Sequence, residues 1–159
     1  MTEQTFCDNA RSCRKLLYHI AYTILRDNRE CEDAVQEALL RAWEKRNSLR
    51  DETAFRFWLS RILTNTCNDL ARKKRRIASL ELEREPAVSF EDGMENSVLY
   101  DSIGKLPQEL RLPIILHYLE GFSTKEIATL IRRPEGTVRN RLFRARKVLR
   151  DLLGEELEI

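Results

Sequence analysis

The side chains best suited to recognition chemistry concentrate near the carboxyl end of this sequence, in residues 135–150. An apolar stripe repeats there at helical spacing and consists of Val138, Leu142, Ala145 and Leu149. The cationic and amide side chains around it are Arg139, Asn140, Arg141, Arg144, Arg146, Lys147 and Arg150. A guanidinium pairs well with guanine and an amide with adenine, while cations neutralise phosphates. The pattern predicts a helix that packs by one face and contacts duplex DNA by the others.

A tight turn separates this helix from a shorter one before it. Ser123 followed by Glu126 predicts a capping box at the start of the shorter helix. The stretch RRPEG ends that helix, because Pro134 removes a backbone donor and Gly136 loosens the chain. Two helices joined in this way indicate a helix-turn-helix, whose second helix enters the major groove. The alternative is a solvated basic helix in an ordinary bundle, but the cap, the turn and the charge bias together favour DNA.

A second cationic cluster, RKKRR at 72–76, ends a predicted helix that begins near Thr53. The packed side of this helix is expected to contain Phe55, Leu59, Ile62, Thr66 and Leu70, with Trp58 and Leu63 flanking. The plainer interpretation is a solvated last turn, which is favourable with the helix dipole. Five consecutive cations exceed that role and favour contact with phosphates.

A third surface is predicted on the helix from about Glu30 to Arg46. Its buried stripe is expected to be Cys31, Ala34, Val35, Ala38, Leu39 and Ala42, and its opposite face holds Asp33, Gln36, Glu37, Leu40 and Glu44. At about 100° per residue, Leu40 falls near the middle of that polar face. An apolar side chain among carboxylates indicates a protein-docking surface, and a stray exposed leucine is the alternative.

These helices belong to a chain that we predict to be all-α, with two small helical domains. The 159 residues are 34% charged with a net charge of only +2, so the charge is segregated rather than uniformly basic. The first domain is predicted at 1–76, opening with a helix from about Cys13 to Arg26. An acidic flexible linker follows at 77–97, and the second domain, with the helix-turn-helix, at 98–159. The linker either shields the basic surfaces or is a merely solvated connection.

Two more helices are predicted at the start of the second domain. One covers about 96–103, and the next opens at Pro107, which suits a first helical position. Pro113 lies inside this second helix and should kink it or shift its hydrogen bonds. Gly121 is a suitable carboxyl-terminal cap. The expected core face is Leu110, Ile114, Ile115, Tyr118 and Leu119.

The four cysteines, Cys7, Cys13, Cys31 and Cys67, show no CxxC pairing, so we expect free thiols, with Cys31 and Cys67 buried. A metal site of Cys7, Cys13 and His19 matches no standard zinc spacing. No nucleophile–base set or phosphate-cradling glycine loop is present, and we expect no catalytic residue, metal or cofactor. No apolar run is long enough to span a bilayer, and the amino terminus lacks a signal peptide's apolar segment. We therefore expect a cytoplasmic protein without membrane insertion.

Three stretches resemble, in order and spacing, bacterial RNA polymerase sigma factors of the extracytoplasmic-function type, in the sigma-70 family. They are DAVQEALLRAWEKR, FRFWLSRILTNTCNDLARKKRR and LPQELRLPIILHYLEGFSTKEIATLIRRPEGTVRNRLFRARKVLR, and they cover most of the chain. The resemblance implies a non-enzymatic subunit that binds core RNA polymerase, at its beta-prime and beta subunits, and directs it to promoter DNA. It also implies an anti-sigma factor as a partner.

The same resemblance implies a role for each surface. Core polymerase would bind Asp33, Gln36, Glu37, Leu40 and Glu44, through a coiled coil of beta-prime. The minus-ten element would meet Arg61, Asn65, Asp69, Arg72, Lys73 and Arg75, with Lys74 and Arg76 also on phosphates. The loop 47–53 is similar to the family's site for an extruded base. The minus-thirty-five element would meet Thr137, Arg139, Asn140, Arg141, Phe143, Arg144 and Lys147.

Two of these residues keep open roles. Asp69 either accepts from a cytosine amino group or orients Asn65. Phe143 either contacts a thymine methyl or packs on the neighbouring helix. Two other functions also compete. A sigma-like decoy would sequester an anti-sigma protein without binding promoters, which the intact basic helix argues against. A stand-alone helix-turn-helix repressor would bind duplex DNA tightly without polymerase and would not need the Leu40 surface.

Overall fold

All the regular structure is helical in the residues that the computed structural model describes, 1–78 and 97–154. The chain divides into two compact units, Met1–Ala87 and Val88–Ile159. The predicted all-α fold class with two helical units is therefore confirmed. The predicted acidic linker falls mainly on residues 79–96, outside the described residues. At its edges, Ile77 belongs to the last helix of the first unit and Ser97 begins the first described helix of the second.

The first unit is built on three helices that pack against one another. In chain order its helices are α1 (Glu3–Ser12), α2 (Arg14–Leu25), α3 (Asn28–Glu44) and α4 (Phe55–Ala78). Two 3-10 turns, Arg46–Ser48 and Glu52–Ala54, connect α3 to α4. The core shared by α2, α3 and α4 includes the fully buried side chains of Ile20, Cys31, Leu59 and Leu63.

Helix α1 is missing from the sequence-based prediction, which begins the first helix near Cys13. The sequence of α1, EQTFCDNARS, is mostly polar, so no apolar stripe signals a helix. The cap is nonetheless present, because the Thr2 hydroxyl accepts from the backbone N–H of Thr5 at 3.1 Å. Phe6 is the buried residue of the helix. One aromatic anchor and a cap thus hold a segment that periodicity alone does not reveal.

The buried side of α4 is wider than the predicted stripe. Ile62 and Leu70, expected in the core, are only half-buried, whereas Leu63, expected to flank it, is fully buried. The reason is that α4 packs against both α2 and α3, which cover two adjoining faces of the helix. Hydroxyl groups brought into this side are satisfied locally: Ser60 and Thr64 donate to backbone carbonyls four residues earlier, at 2.8 and 2.7 Å.

The second unit supports the helix-turn-helix on two shorter helices. Its described elements are α5 (Ser97–Gly104), α6 (Gln108–Ile114), a π-helical turn (Ile115–Leu119), α7 (Thr124–Ile131) and α8 (Glu135–Leu153). Pro107 is the cap before α6 rather than its first residue. Gly121 has a φ of +76° and ends the segment after the π turn, as predicted for a carboxyl-terminal cap.

The π-helical turn is the hydrogen-bond shift predicted from Pro113. Proline cannot donate to the preceding turn and crowds its carbonyl, so the ladder changes just after it. The N–H of Glu120 donates to the Ile115 carbonyl, five residues earlier, at 3.1 Å. The wider turn changes which side chains face inward. Leu116 is fully buried, while Tyr118, which was predicted to be in the core, is 39% exposed.

Helices α7 and α8 form the predicted helix-turn-helix. Both bonds of the capping box are present: the Glu126 N–H donates to the Ser123 hydroxyl at 3.1 Å, and the Ser123 N–H donates to the Glu126 carboxylate at 3.0 Å. Arg132 adopts the left-handed conformation that ends α7. Gly136, predicted in the turn, instead lies in the first turn of α8. The predicted packing stripe of α8 is buried throughout: Val138, Leu142, Ala145 and Leu149.

Candidate functional site

The outward face of α8 carries the side chains predicted to contact duplex DNA. Arg139, Asn140, Phe143, Arg144 and Lys147 are exposed, and Thr137 and Arg141 are half-buried. Phe143 is 62% exposed, so the interpretation that it packs on the neighbouring helix is wrong. An aromatic ring presented among cations on a groove-sized helix can contact the methyl group of thymine. The face therefore combines base-pairing, apolar and phosphate-binding groups.

Glu135, at the amino-terminal end of α8, holds one of these cations. Arg139 donates from Nη2 to Glu135 Oε1 at 2.8 Å. The Thr124 hydroxyl of α7 donates to the same oxygen, also at 2.8 Å. The hydrogen bond from Thr124, together with the nearby Arg139 charge, lowers the pKa of the Glu135 carboxyl. This link between α7 and α8 has no signal in the sequence beyond the acid in the first turn.

A second cation of this face, Arg144, pairs with an acid of α6. Its Nη2 lies 3.0 Å from Glu109 Oε1, and both side chains are about half exposed. An exposed ion pair contributes little to stability, commonly about 0–1 kcal/mol. The guanidinium can therefore exchange this carboxylate for a phosphate or a guanine edge at small cost.

The predicted minus-ten face of α4 carries Arg61, exposed, and Asn65, half-buried. Asp69, further along, forms a close ion pair with Arg72 and lies 3.7 Å from Arg41 of α3. Its carboxylate is thus engaged by two guanidinium groups. An acid beside a polyanion is less anomalous when cations surround it, because the local charge stays positive.

The cationic end of α4 divides into two sides. Asp69, Arg72, Arg75 and Arg76 line an open depression of about 570 Å³. Lys73 lies on the other side, where it shares a depression of about 290 Å³ with Glu30, Asp33, Leu70, Lys74 and Ile77. Lys74 pairs there with Glu30 at 3.3 Å. The structure therefore groups the arginines into one cationic surface and does not bring Lys73 to it.

The exposed face of α3 contains the five residues predicted for polymerase docking. Asp33, Gln36, Glu37, Leu40 and Glu44 are all exposed, and Leu40 is 66% exposed. Glu37 is fixed by Arg41, whose Nη2 donates to its carboxylate at 2.9 Å. The result is an apolar knob with an acidic rim, built on a rigid helix whose other face is in the core.

The connection between α3 and α4, which we call the 45–54 loop, is held in place by local bonds. Arg46 donates to the Trp43 carbonyl at 2.7 Å, and its guanidinium carbon lies 3.8 Å from the centroid of the Trp43 ring. Asp51 Oδ1 accepts from the Thr53 hydroxyl at 2.7 Å and from the Thr53 N–H at 3.0 Å. These two bonds lower the pKa of the Asp51 carboxyl. The sequence predicts the loop but not these bonds, although an aspartate that bonds to the backbone two residues further on is a common turn signal.

The cysteines offer no reactive centre. All four are free; Cys13, Cys31 and Cys67 are buried, and Cys7 is half-buried. Burial raises the pKa of the Cys31 and Cys67 thiols to about 12 in each case. Within residues 1–78 and 97–154, no group of three or more His, Cys, Asp and Glu residues is arranged to hold a metal ion. None of the described helices is long and apolar enough to cross a membrane.

Comparison with known families identifies the two units. Residues 10–77 match the family model described as sigma-70 region 2, and residues 97–149 match the one described as sigma-70 region 4. The two matches fall on the first and the second unit, so the class that fold and surfaces define is the sigma-70 class of transcription factors.

Relatives narrow the class. The ECF RNA polymerase sigma-E factor of Escherichia coli K12 is 37% identical over 134 residues, which cover 74% of this chain and 70% of the relative. The RNA polymerase sigma-H factor of Pseudomonas aeruginosa is 36% identical over 150 residues, covering 81% of this chain and 78% of the relative. The chain belongs to the extracytoplasmic-function sigma factors, and it serves promoter-specific transcription initiation with RNA polymerase.

Solved structures agree with this assignment. The sigma factor RpoE of Bartonella quintana, solved with the anti-sigma factor NepR, superposes with a TM-score of 0.77 at 25% identity and 98% coverage of both chains. CnrH, solved with the cytosolic domain of CnrY, gives a TM-score of 0.65 at 28% identity, covering 98% of this chain and 92% of that one.

Proposed function

We propose that each of the three surfaces performs one step of promoter recognition. The α3 face, with Asp33, Gln36, Glu37, Leu40 and Glu44, docks on the beta-prime coiled coil of core polymerase. The observation that carries this proposal is the separation of chemistries in the first unit. Leu40 stands 66% exposed among carboxylates on α3, while the arginines cluster on the end of α4. A helical surface with an apolar centre and a charged rim suits a protein partner, and a cationic cluster suits nucleic acid.

The end of α4 and the 45–54 loop hold the opened minus-ten element. Arg72, Arg75 and Arg76 neutralise phosphates of the unpaired strand. Arg61 and Asn65 lie about two to four helical turns earlier on α4 and contact the bases of that strand. The loop receives a base extruded from the stack, which is easiest to capture by polar groups already fixed in place, as Asp51 and Thr53 are.

Helix α8 reads the minus-thirty-five element as duplex DNA. Arginines on its outward face suit guanine, Asn140 suits adenine and Phe143 suits the methyl group of thymine. Glu135 orients Arg139, and Arg144 exchanges Glu109 for DNA. Each well-placed base contact is worth roughly 1–3 kcal/mol of discrimination, so a few such contacts distinguish a promoter from bulk DNA.

This chain performs no chemistry of its own on this proposal, because phosphodiester bonds are formed by core polymerase. Its place is the cytoplasm, where polymerase and promoters are, and the beta subunit is a second polymerase contact. An anti-sigma factor is the expected regulator. Support comes from RpoE of Bartonella quintana, which was solved in complex with the anti-sigma factor NepR.

Transcription with purified components tests the proposal. Core polymerase is incubated with the chain and a genomic promoter library, and transcript starts are mapped. We expect starts that core polymerase alone does not use, sharing one upstream and one downstream element. A chain that binds core without moving the start sites would contradict the proposal. Binding of an anti-sigma protein without any promoter-dependent transcript would favour a decoy instead.

A further inference from the structure

The two ends of the 45–54 loop are marked by aromatic residues. Trp43 precedes the loop in the last turn of α3, and Phe55 follows it as the first residue of α4. The position of the loop therefore depends on how these two side chains are fixed. Arg46, inside the loop, bonds to the Trp43 carbonyl and stacks on its ring, so a shift of Trp43 would carry the loop with it.

Phe6 of α1 contacts both of these aromatic residues. Its ring centroid lies 5.2 Å from that of Trp43 with an interplanar angle of 72°, and 5.6 Å from that of Phe55 with an angle of 84°. Both are edge-to-face arrangements, which have preferred geometries and resist sliding. Phe6 is 6% exposed, so the contact excludes water. A single side chain thus connects the beginning and the end of the loop.

The rest of the first unit depends little on this contact. α2, α3 and α4 form the core with one another, and Ile20, Leu59 and Leu63 are fully buried within it. Phe6 is the buried residue of α1. The sigma-70 region 2 match begins at residue 10, so Phe6 lies outside it. The buried residue of α1 contacts the aromatic residues at the two ends of the loop. This helix is therefore better suited to support the loop than to stabilise the core.

We propose that α1 is a brace and Phe6 a positioning residue: by fixing Trp43 and Phe55 it holds the 45–54 loop in the conformation that captures an extruded base. This inference rests on the proposed function of the loop. A captured base needs its pocket to be preformed, because ordering the loop at the moment of binding would cost part of the affinity. Phe6 touches no DNA itself and acts through the residues it contacts.

The test compares base capture with stability and polymerase binding. Holoenzyme is assembled from core polymerase and the full chain, and its affinity is measured for single-stranded minus-ten oligonucleotides. These oligonucleotides carry either the extruded base or an abasic site at its position. For the wild type we expect the base to improve affinity about tenfold, the order of one base contact. With Phe6→Ala the ratio should fall to about two- or threefold, since a displaced loop loses most of that contact.

Two further variants separate positioning from general destabilisation. Leu25→Ala removes a buried side chain at the carboxyl end of α2, close to the start of α3 and therefore far from the loop that follows α3. It is the control for the loss of a buried apolar side chain. It should lower the melting temperature and leave the base-to-abasic ratio unchanged. Phe6→Leu keeps an apolar anchor and should retain an intermediate ratio; it also carries the test if the alanine variant does not fold. All variants should bind core polymerase with wild-type affinity.

The outcomes are distinct. If wild-type holoenzyme does not distinguish the base from the abasic site, the proposed function of the loop is wrong, and the proposed positioning role of Phe6 is wrong as well. If the wild type does distinguish them and both Phe6 variants do so equally well, the brace alone is refuted. The same conclusion follows if Leu25→Ala lowers the ratio as much as Phe6→Ala does, because the effect would then be one of stability.

Discussion

Shortening Leu40 to alanine is the most direct test of how this chain binds polymerase. The side chain is 66% exposed on α3, so its removal leaves no cavity in the core. We expect the free energy of unfolding of the free chain to change by less than about 0.5 kcal/mol. A large effect on polymerase binding would therefore come from the docked state alone.

The size of that effect follows from the exposed area. Full burial of a leucine side chain contributes about 1.5–3 kcal/mol. Covering a side chain that is 66% exposed should then contribute about 1–2 kcal/mol, which is roughly 5–30-fold in Kd. Leu40→Asp should cost more, because it also buries a charge without a partner. Leu40→Met keeps the apolar volume and should bind nearly as tightly as the wild type.

The assay is competition for limiting core polymerase between labelled wild-type chain and unlabelled variants, at fixed salt. Thermal melting of each free variant is the stability control. The expected order of affinity is wild type and Leu40→Met, then Leu40→Ala, then Leu40→Asp. If Leu40→Ala competes within twofold of the wild type, Leu40 is a stray surface leucine and the docking assignment of this face is refuted.

Three other predictions follow from single contacts. Arg144→Ala should lower transcription from promoters that carry an intact upstream element by about tenfold, and it should leave transcription from premelted templates unchanged. An equal loss of transcription on both templates would contradict a role of Arg144 in recognising duplex DNA. Glu135 should stay ionised as pH falls through the ordinary range for glutamate, because its pKa is lowered, and lose its bonds only below that. Thr124→Val should raise the midpoint of the Glu135 carboxyl in an NMR titration, and an unchanged midpoint would contradict the hydrogen bond from Thr124 to Glu135. The Cys31 and Cys67 thiols, with pKa raised to about 12, should react with alkylating reagents only after unfolding; modification of the native chain would refute their burial.

Elements stabilised by contacts between near neighbours could be predicted from the sequence. The capping box of α7, the effect of Pro113 and the cap at Gly121 each depend on residues within one or two turns. The stripe of α8 is equally local, because one face of a helix follows from its period. For the same reason the exposed faces of α3 and α8, and with them most of the predicted site residues, appear where periodicity puts them.

Features that depend on contacts between distant parts of the chain could not be predicted from periodicity. Whether α4 buries Ile62 or Leu63 depends on the two helices that cover it, and the sequence of α4 does not reveal their number. Tyr118 is exposed because the π turn widens after Pro113, by an amount that proline alone does not determine. Helix α1 shows no apolar stripe, because a single aromatic residue, Phe6, is its buried anchor.

The same distinction explains what was missed at the site. A side chain that will contact DNA must be exposed, and exposure on a helix is a periodic property. The groups that hold such a side chain in place are fixed by tertiary contacts. Glu135 binds Arg139 within α8 but is itself fixed by Thr124 of α7. Phe6 meets Trp43 across more than thirty positions of sequence. A substitution that alters promoter choice without touching DNA is therefore most to be expected among these supporting residues, which no periodic pattern of the sequence reveals.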